Sequence, residues 1–376
     1  MKILKGLLLF LIIVGCAQMS VTTLTKSEDE YARQYQIGRV HNREAVELPD
    51  WGDAVNISQR YIFQTQYDQV PSKPIPVHKL TIKELEELPN DQISVIRFGH
   101  STVLLKIDGD FWLTDPVFSD RLGPVYFMGI ERFHDVPLSI SELPDIRGVL
   151  ISHNHYDHLD ERTIRVLHPK VQHFIVPIGN GHDLIDWGVE PRKITELDWW
   201  ENKSVGDLTL IATPANHISG RILIDQNEAL WSSWVILNKE QRIFFSGDGG
   251  YSDIYEKIGD KFGPFDLTIM ENGSYDKCWS KEHLTPEETI QAHQDLKGDV
   301  LMPVHNSTFD MAFHSWYEPL NKVSQIADKQ GISLLAPVIG KPFTFNAIDS
   351  QSMLTSKIHW WEDMVSKEVV PVLSQK

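Results

Sequence analysis

Cysteine is nearly absent from this chain, with only Cys16 and Cys278 in 376 residues, so no disulfide framework is implied. Positive charge is also scarce: 35 Lys and Arg face 52 Asp and Glu, a net charge of −17 with histidine neutral. An acidic surface opposes a phosphate backbone and the sequence shows no basic groove, so nucleic acid is not expected as a partner. No Gly-x-Ser-x-Gly elbow is present, which leaves a serine hydrolase with no nucleophile to name. The apolar stretch at the N-terminus, Gly6 to Gly15, has ten residues, against the roughly 20 that a helix needs to span a bilayer. Gly179-Asn180-Gly181 is too short a glycine pattern to cradle phosphate.

Hydrophobic residues at 41% and charged residues at 23% are ordinary for a soluble globular core. Residues 93–98, 102–107 and 111–114 read as strands, with Asp108-Gly109 as a two-residue hairpin signal between the last two. Thr81 with Glu84, and Thr285-Pro286-Glu287-Glu288, carry helix-capping patterns, and residues 316–330 form an amphipathic helical pattern. Strand and helix patterns interleave without an internal repeat, so the expected fold class is α/β: a sandwich of two sheets with outer helices. The expected divisions are a leader at 1–15, a polar tether at 16–50, one domain at 51–345 and a tail at 346–376 whose Trp360-Trp361 pair packs on the body. Trp199-Trp200, Trp231 and Trp234 read as core or sheet-face packing.

The densest chemistry lies at residues 152–160, Ser-His-Asn-His-Tyr-Asp-His-Leu-Asp, directly after the apolar run Gly148-Val-Leu-Ile. His153, His155, Asp157 and His158 fall within six positions, and this mixture of imidazole and carboxylate suits zinc and its borderline neighbours. Four such ligands in one loop can serve two ions. Further ligands should stand at the ends of other strands, because rigid elements fix donors better than mobile loops. His217 follows Leu208-Thr-Leu-Ile-Ala-Thr, Asp248 follows Ile243-Phe-Phe, and His305 follows Val300-Leu-Met-Pro-Val.

These four loci resemble the metallo-β-lactamase superfamily, with its His-x-His-x-Asp-His loop and later His, Asp and His. More specifically, the chain resembles the branch containing N-acyl-phosphatidylethanolamine-hydrolysing phospholipase D. That likeness is carried by RFGHSTVLLKIDG at 97–109, FWLTDPVFSDR at 111–121, SHNHYDHLD, PANHISGR, LWSSWVI at 230–236, SGDGGY, and HLTPEE followed by IQAHQDL, from about Asp50 to Phe345. The resemblance implies an αββα sandwich with one ion on His153, His155 and His217, a second on Asp157, His158 and His305, and Asp248 bridging. Asp157 and Asp248 thereby take catalytic as well as ligand roles, Tyr156 and His283 are implied substrate contacts, and His100 and Asp115 are expected to hydrogen-bond ligands or close strands. Two zinc ions are the expected cofactors, with iron or manganese as alternatives.

The implied activity is metal-dependent hydrolysis of a phosphodiester, of phospholipase D type, on N-acyl-phosphatidylethanolamine or a related glycerophospholipid. Hydrolysis of another small ester, a lactone or a β-lactam is the first alternative, and a non-catalytic metal-binding envelope lipoprotein the second. Two positions depart from the lipase pattern: Asn306-Ser307 follows His305 where the lipase relatives carry Trp-Gly, and Ile218 replaces a Trp after His217. At the N-terminus, Lys2 and Lys5 precede the apolar stretch, and Ile13-Val14-Gly15-Cys16 resembles a bacterial lipobox, with Cys16 as the lipidated residue. Anchored there, with Ala17 next, the protein is expected to be an outer-membrane lipoprotein of a bacterial envelope, facing the periplasm and meeting its lipid substrate at the membrane surface.

Overall fold

The computed structural model describes residues 68–345 except 126 and 223, together with 42, 52, 55–57, 59, 60 and 359–365. The leader, Cys16 and the tether other than Asn42 lie outside the described residues, as does the tail other than 359–365.

Two seven-stranded sheets face one another. The first contains β1 (Ser94–Gly99), β2 (Thr102–Ile107), β3 (Asp110–Thr114), β6 (Ile146–Leu150), β7 (Val171–Pro177), β8 (Ile194–Leu197) and β16 (Phe343–Thr344), in the order β16-β1-β2-β3-β6-β7-β8. The second contains β9 (Asn202–Val205), β10 (Leu208–Thr213), β11 (Ser233–Leu237), β12 (Arg242–Phe245), β13 (Phe265–Glu271), β14 (Gly298–Val304) and β15 (Ser333–Leu334), in the order β15-β14-β13-β12-β11-β10-β9. A short hairpin, β4 (Arg121–Leu122) and β5 (Ile130–Glu131), stands apart.

Strand sequences are apolar on both faces because both faces are covered. In β1, Val95 enters the core between the sheets while Ile96 and Phe98 point outward, the alternation a pleated strand imposes. The inner layer joins Val95, Val103, Leu105 and Leu150 of one sheet to Leu210, Trp234, Phe245, Ile269 and Met302 of the other. Outside the first sheet lie α2 (Glu161–Leu167) and α3 (Gly181–Asp186), which contribute Ile164, Leu167 and Leu184. Outside the second lie α4 (Ile254–Phe262), α5 (Pro286–Asp295) and α6 (Glu318–Gln330), through Ile258, Ile290 and Val323. The architecture is the expected αββα sandwich.

Local signals match their elements. Asp108 (φ 51°) and Gly109 (φ 81°) both take positive φ between β2 and β3, as a tight hairpin turn requires. Thr81 and Glu84 close a capping box on α1 (Ile82–Glu86), and Thr285 and Glu288 close one on α5. Trp360, Trp361 and Met364 pack against Ile75, Trp316, Leu320 and Ile339, so the described part of the tail is docked. The tether expectation needs correction at one residue: Asn42 is bound to the body, its side chain pairing with both backbone groups of His217. A polar residue inside a weakly periodic stretch carries no sign of such a partner. Among the described residues no helix is long and apolar enough to cross a membrane.

Strand directions place the chemistry. β3 and β6 are parallel, and β1 runs the same way because two antiparallel pairings separate it from β3. In the second sheet β12, β13 and β14 are parallel, and β10 shares their direction through β11. The C-terminal ends of all seven therefore gather at common edges of the two sheets. Gly148 allows β6 to pass beneath Trp112: a Cβ there would lie 2.2 Å from Trp112 Cζ3. Gly148→Val is expected to lower stability by about 1–3 kcal/mol through overpacking. Denaturant unfolding measures this, and an unchanged midpoint would mean that the strand pair has room to spare.

Candidate metal centre

Seven strands each deliver a polar side chain to that edge. His100 follows β1, Asp115 follows β3, and the loop His153–His158 follows β6. From the second sheet come His217 after β10, Asp248 after β12, Glu271 at the end of β13 and His305 after β14. His100, Asp115 and His305 adopt positive φ (51°, 34° and 62°). For residues with a Cβ this is a costly conformation, found where surrounding structure over-determines the backbone and clustered at functional sites.

The ligand-type atoms form overlapping groups, within each of which all lie inside 4.8 Å: His153 with His155 and His217; His100 with Asp157, His158 and His305; Asp248 with Glu271, His283 and His305; and His153 with His158 and Asp248. All seven residues marked as ligands from the sequence are thus brought together. Asp248 Oδ2 lies 3.0 Å from both His158 Nε2 and His305 Nε2 and 3.9 Å from His217 Nε2, so it reaches between the first two groups. Asp157 Oδ2 stands 3.2 Å from His158 Nε2 and His305 Nε2.

The outer hydrogen bonds decide which nitrogens are bare. Ser152 Oγ donates to Asp115 Oδ2 (2.6 Å) and so accepts from His153 Nδ1 (2.9 Å). His217 Nδ1 donates to the Glu282 carbonyl (3.1 Å), and His158 Nδ1 donates to Asp115 Oδ2 (2.7 Å). A neutral imidazole that donates through one nitrogen has a lone pair on the other. His153 Nε2 and His217 Nε2 therefore present lone pairs at 2.8 and 3.3 Å from His155 Nδ1. Three nitrogens that converge with at most one proton among them fit a bound cation. Asp248 Oδ1, buried without a hydrogen-bond partner among the described residues, fits one as well.

Electrostatics divide the same way. Burial and the neighbouring imidazoles push His153 and His217 well below the usual histidine range, and burial takes His155 down to about 4, so these three are neutral and ready to ligate. Burial also opposes ionisation of Asp157 and Asp248, but His158 and its imidazole neighbours outweigh it and hold both carboxyls well below their ordinary value. His158, despite burial, is held well above the imidazole range by Asp248 and Asp157, and His305 is raised to about 9 chiefly by Asp248. The second group thus stores positive charge on protons that a metal ion would displace.

Other residues fall into place around this centre. His100 donates from Nε2 to Asp157 Oδ2 (2.8 Å), and Asp115 also accepts from Ser152 N (2.7 Å). His283 sits at the rim with Nδ1 against Glu271 Oε1. Tyr156 lies on the flank, its half-buried ring under the Arg221 guanidinium at 4.2 Å. Trp199, Trp231 and Trp234 are core residues, and Trp234 Nε1 donates to the Ile151 carbonyl beneath the metal loop (3.0 Å). Asn306 accepts through both its carbonyl and Oδ1 from buried Arg97 (2.6 and 2.7 Å) and lines a small cleft with His305, Ser274, Asp310 and His314. Glu271 was not anticipated from sequence. It is fully buried, raised well above the carboxylate range by burial and by Asp248, and accepts from Gly249 N (2.8 Å). Its signal was available, for Glu271 closes an apolar run as Asp248 and His305 follow theirs, but Asn272-Gly273 after it reads as a turn.

Comparison with known proteins identifies the family and the fold. A β-lactamase superfamily domain is matched over residues 112–306. An uncharacterized protein of Mycobacterium tuberculosis is 39% identical over 275 residues, 72% of this chain and 73% of that protein. N-acyl-phosphatidylethanolamine-hydrolyzing phospholipase D 1 of Caenorhabditis elegans is 30% identical over 325 residues, 80% of this chain and 90% of that protein. Outer membrane protein RomA of Klebsiella pneumoniae is 47% identical over 98 residues, 26% of this chain and 74% of that protein. Among solved structures, the isothiocyanate hydrolase from Delia radicum gut bacteria superimposes with a TM-score of 0.55 at 19% identity, over 68% of this chain and 99% of that one. CmlA, a diiron β-hydroxylase from Streptomyces venezuelae, gives 0.52 at 18% identity over 79% and 57%. At these identities the two structures bear on the fold alone.

The buried carboxylate of Asp115 orients His158 without belonging to any of the four groups. Asp115→Asn keeps the shape and loses the charge, and is expected to weaken cation binding by roughly 10–100-fold with the fold retained. Zinc titration against a chromophoric chelator, with circular dichroism as control, reads this; wild-type affinity would remove Asp115 from the role.

Proposed function

Because the chain belongs to the metallo-β-lactamase superfamily and is a metallo-hydrolase of that fold, we propose that it cleaves a phosphodiester at a two-metal centre, in the manner of a phospholipase D. The observation that carries this reading is the convergence of His153, His155, Asp157, His158, His217, Asp248 and His305 from separate strand ends. The rings of His153, His158 and His217 are already oriented by outer partners. His153, His155 and His217 would hold one ion and Asp157, His158 and His305 the other, with Asp248 between them. Zinc suits the nitrogen-rich set, while the carboxylates of Asp157, Asp248 and Glu271 also suit iron or manganese. When bound, such a pair supplies Lewis acidity to a phosphoryl oxygen and lowers the pKa of water toward neutrality.

The protein's own side chains do the rest. His100 and Asp115 fix the rings and carboxylates, so little reorganisation is left for the reacting complex. His283 Nδ1 is hydrogen-bonded to Glu271 Oε1, which leaves Nε2 as the atom to meet a substrate oxygen at the rim. The substrate class is a glycerophospholipid such as N-acyl-phosphatidylethanolamine, cleaved to phosphatidic acid and the N-acylethanolamine. The C. elegans relative, which aligns over four-fifths of this chain, supports that choice. Anchorage through a lipidated Cys16 to an outer membrane would bring the centre to its substrate, and the RomA relative supports an envelope location.

Purified full-length protein is expected to contain two equivalents of metal. Offered N-acyl-phosphatidylethanolamine, a lactone and a β-lactam in parallel, with products identified by mass, it should release phosphatidic acid and lose that activity on chelation. Turnover of only the lactone or β-lactam would replace the phosphodiesterase reading with the broader esterase one, and turnover of none would leave a binding protein. His283→Ala is expected to lower kcat or raise KM with both metal equivalents retained. Cys16→Ser should move the protein out of the membrane fraction; retention there would remove the lipid anchor.

A further inference from the structure

The segment that supplies His217 is tied to the loop that supplies His153 and His155 by one half-buried cation, Arg221. Its Nη1 donates to two carbonyls at opposite ends of the metal loop, Asn154 O at 2.8 Å and Leu159 O at 2.6 Å. The guanidinium lies over the ring of Tyr156 (4.2 Å) and over Trp187 on the other element it touches (4.9 Å). The neighbouring Gly220 N donates to Asn154 Oδ1 (2.8 Å), so the same loop is gripped twice. Arg221 is itself anchored, its backbone N–H shared between the two oxygens of Asp225 at 3.0 Å each. Ser219 and Asn227 close the turn behind it through Ser219 N to Asn227 Oδ1 and Asn227 N to Ser219 O.

We propose that Arg221 is a positioning residue for one half of the metal centre: it sets the spacing between His217 and the His153–His155 pair. The inference rests on the two-metal reading above and adds to it a prediction of asymmetry. His217, His153 and His155 come from the two segments that Arg221 joins. The second site takes no ligand from the His217 segment: Asp157 and His158 stand within the metal loop, where His100 and Asp115 hold them, and His305 follows β14. Loss of the tie therefore changes the spacing within the first group more than that within the second. It also assigns Tyr156 a part different from substrate contact, as the face on which the cation rests. Cation–π contact of this kind contributes about 0.5–1 kcal/mol at exposed sites and more when desolvated.

Two variants of the full-length protein separate the bond from the bulk. Arg221→Met keeps the stem and its packing but removes charge and donors; Arg221→Lys restores a charged donor able to reach both carbonyls. In zinc titration against a chromophoric chelator, Arg221→Met is expected to bind one equivalent roughly 10–100-fold more weakly and the other within about threefold of wild type, with Arg221→Lys recovering most of the loss. Hydrogen exchange on the metal-free proteins gives an independent readout: amides of Gly220 and Asn227, bonded to Asn154 Oδ1 and to the Ser219 carbonyl, should exchange faster in Arg221→Met, without change in β12 or β14. Unchanged binding and exchange in Arg221→Met would overturn the proposal, as would equal weakening of both equivalents with a general fall in protection. A raised KM with metal affinity untouched would instead make Arg221 a substrate contact. Wild-type protein that takes up less than one equivalent would sink the two-metal reading itself, a result the exchange arm distinguishes from failure of the tie.

Discussion

The constraint on which the rest of this structure turns is the burial of four carboxyl groups, Asp115, Asp157, Asp248 and Glu271, at one edge of a sandwich whose inner layer is built mainly from apolar side chains. Moving a carboxylate out of water is expensive unless opposite charge and hydrogen bonds surround it. The imidazoles of His100, His158 and His305 meet that need only when two of them carry protons, which is the state their raised affinities describe for His158 and His305. A divalent cation meets the same need with the imidazoles neutral. Proton and metal therefore compete for one set of lone pairs, and binding is linked to pH and to the stability of the strand ends that hold the ligands.

Much of this was legible in the sequence for a simple reason. The metal loop is contiguous, so its composition stands out, and His217, Asp248 and His305 each end an apolar run that could only be a covered strand. The hairpin at Asp108-Gly109 and the helix starts at Thr81 and Thr285 were legible because turn and cap chemistry is local. What escaped notice depends on contacts across the fold. Glu271 ends a strand as Asp248 does, yet its burial follows from the parallel pairing of β13 with β14, which no local pattern states. Asn42 looks like one polar residue in a tether until its amide is found on the backbone of His217. Arg221 reads as an ordinary surface cation, and only the approach of two loops from different sheets gives it two carbonyls to bridge.

The departures at Asn306 and Ile218 take on physical content from the same geometry. Asn306 is held by Arg97, a buried cation on β1 that faces the layer between the sheets, so the polar residue after His305 is part of a paired arrangement rather than an isolated change. It contributes a polar wall to the cleft next to His305, where a large aromatic ring would have filled the space. Ile218, next in sequence to His217, is buried. The ligand set and the residues beside it are thus distinct: Asn306 and Ile218 adjoin His305 and His217 without joining any of the ligand groups.

That separation is possible because the ligands are positioned from outside the cavity. His153 is aimed by Ser152, His158 by Asp115, Asp157 by His100, and His217 by the Glu282 carbonyl and by Asn42, none of which needs to touch a substrate. The positive-φ backbone at His100, Asp115 and His305 is tolerated because the surrounding strands and hydrogen bonds over-determine it. A centre held this way has its geometry fixed by the two sheets, and the loops above it are free to vary what is admitted. The ligand set and its support thus occupy different layers of the same molecule: the strand ends carry the ligands, and the outer hydrogen bonds carry their orientation.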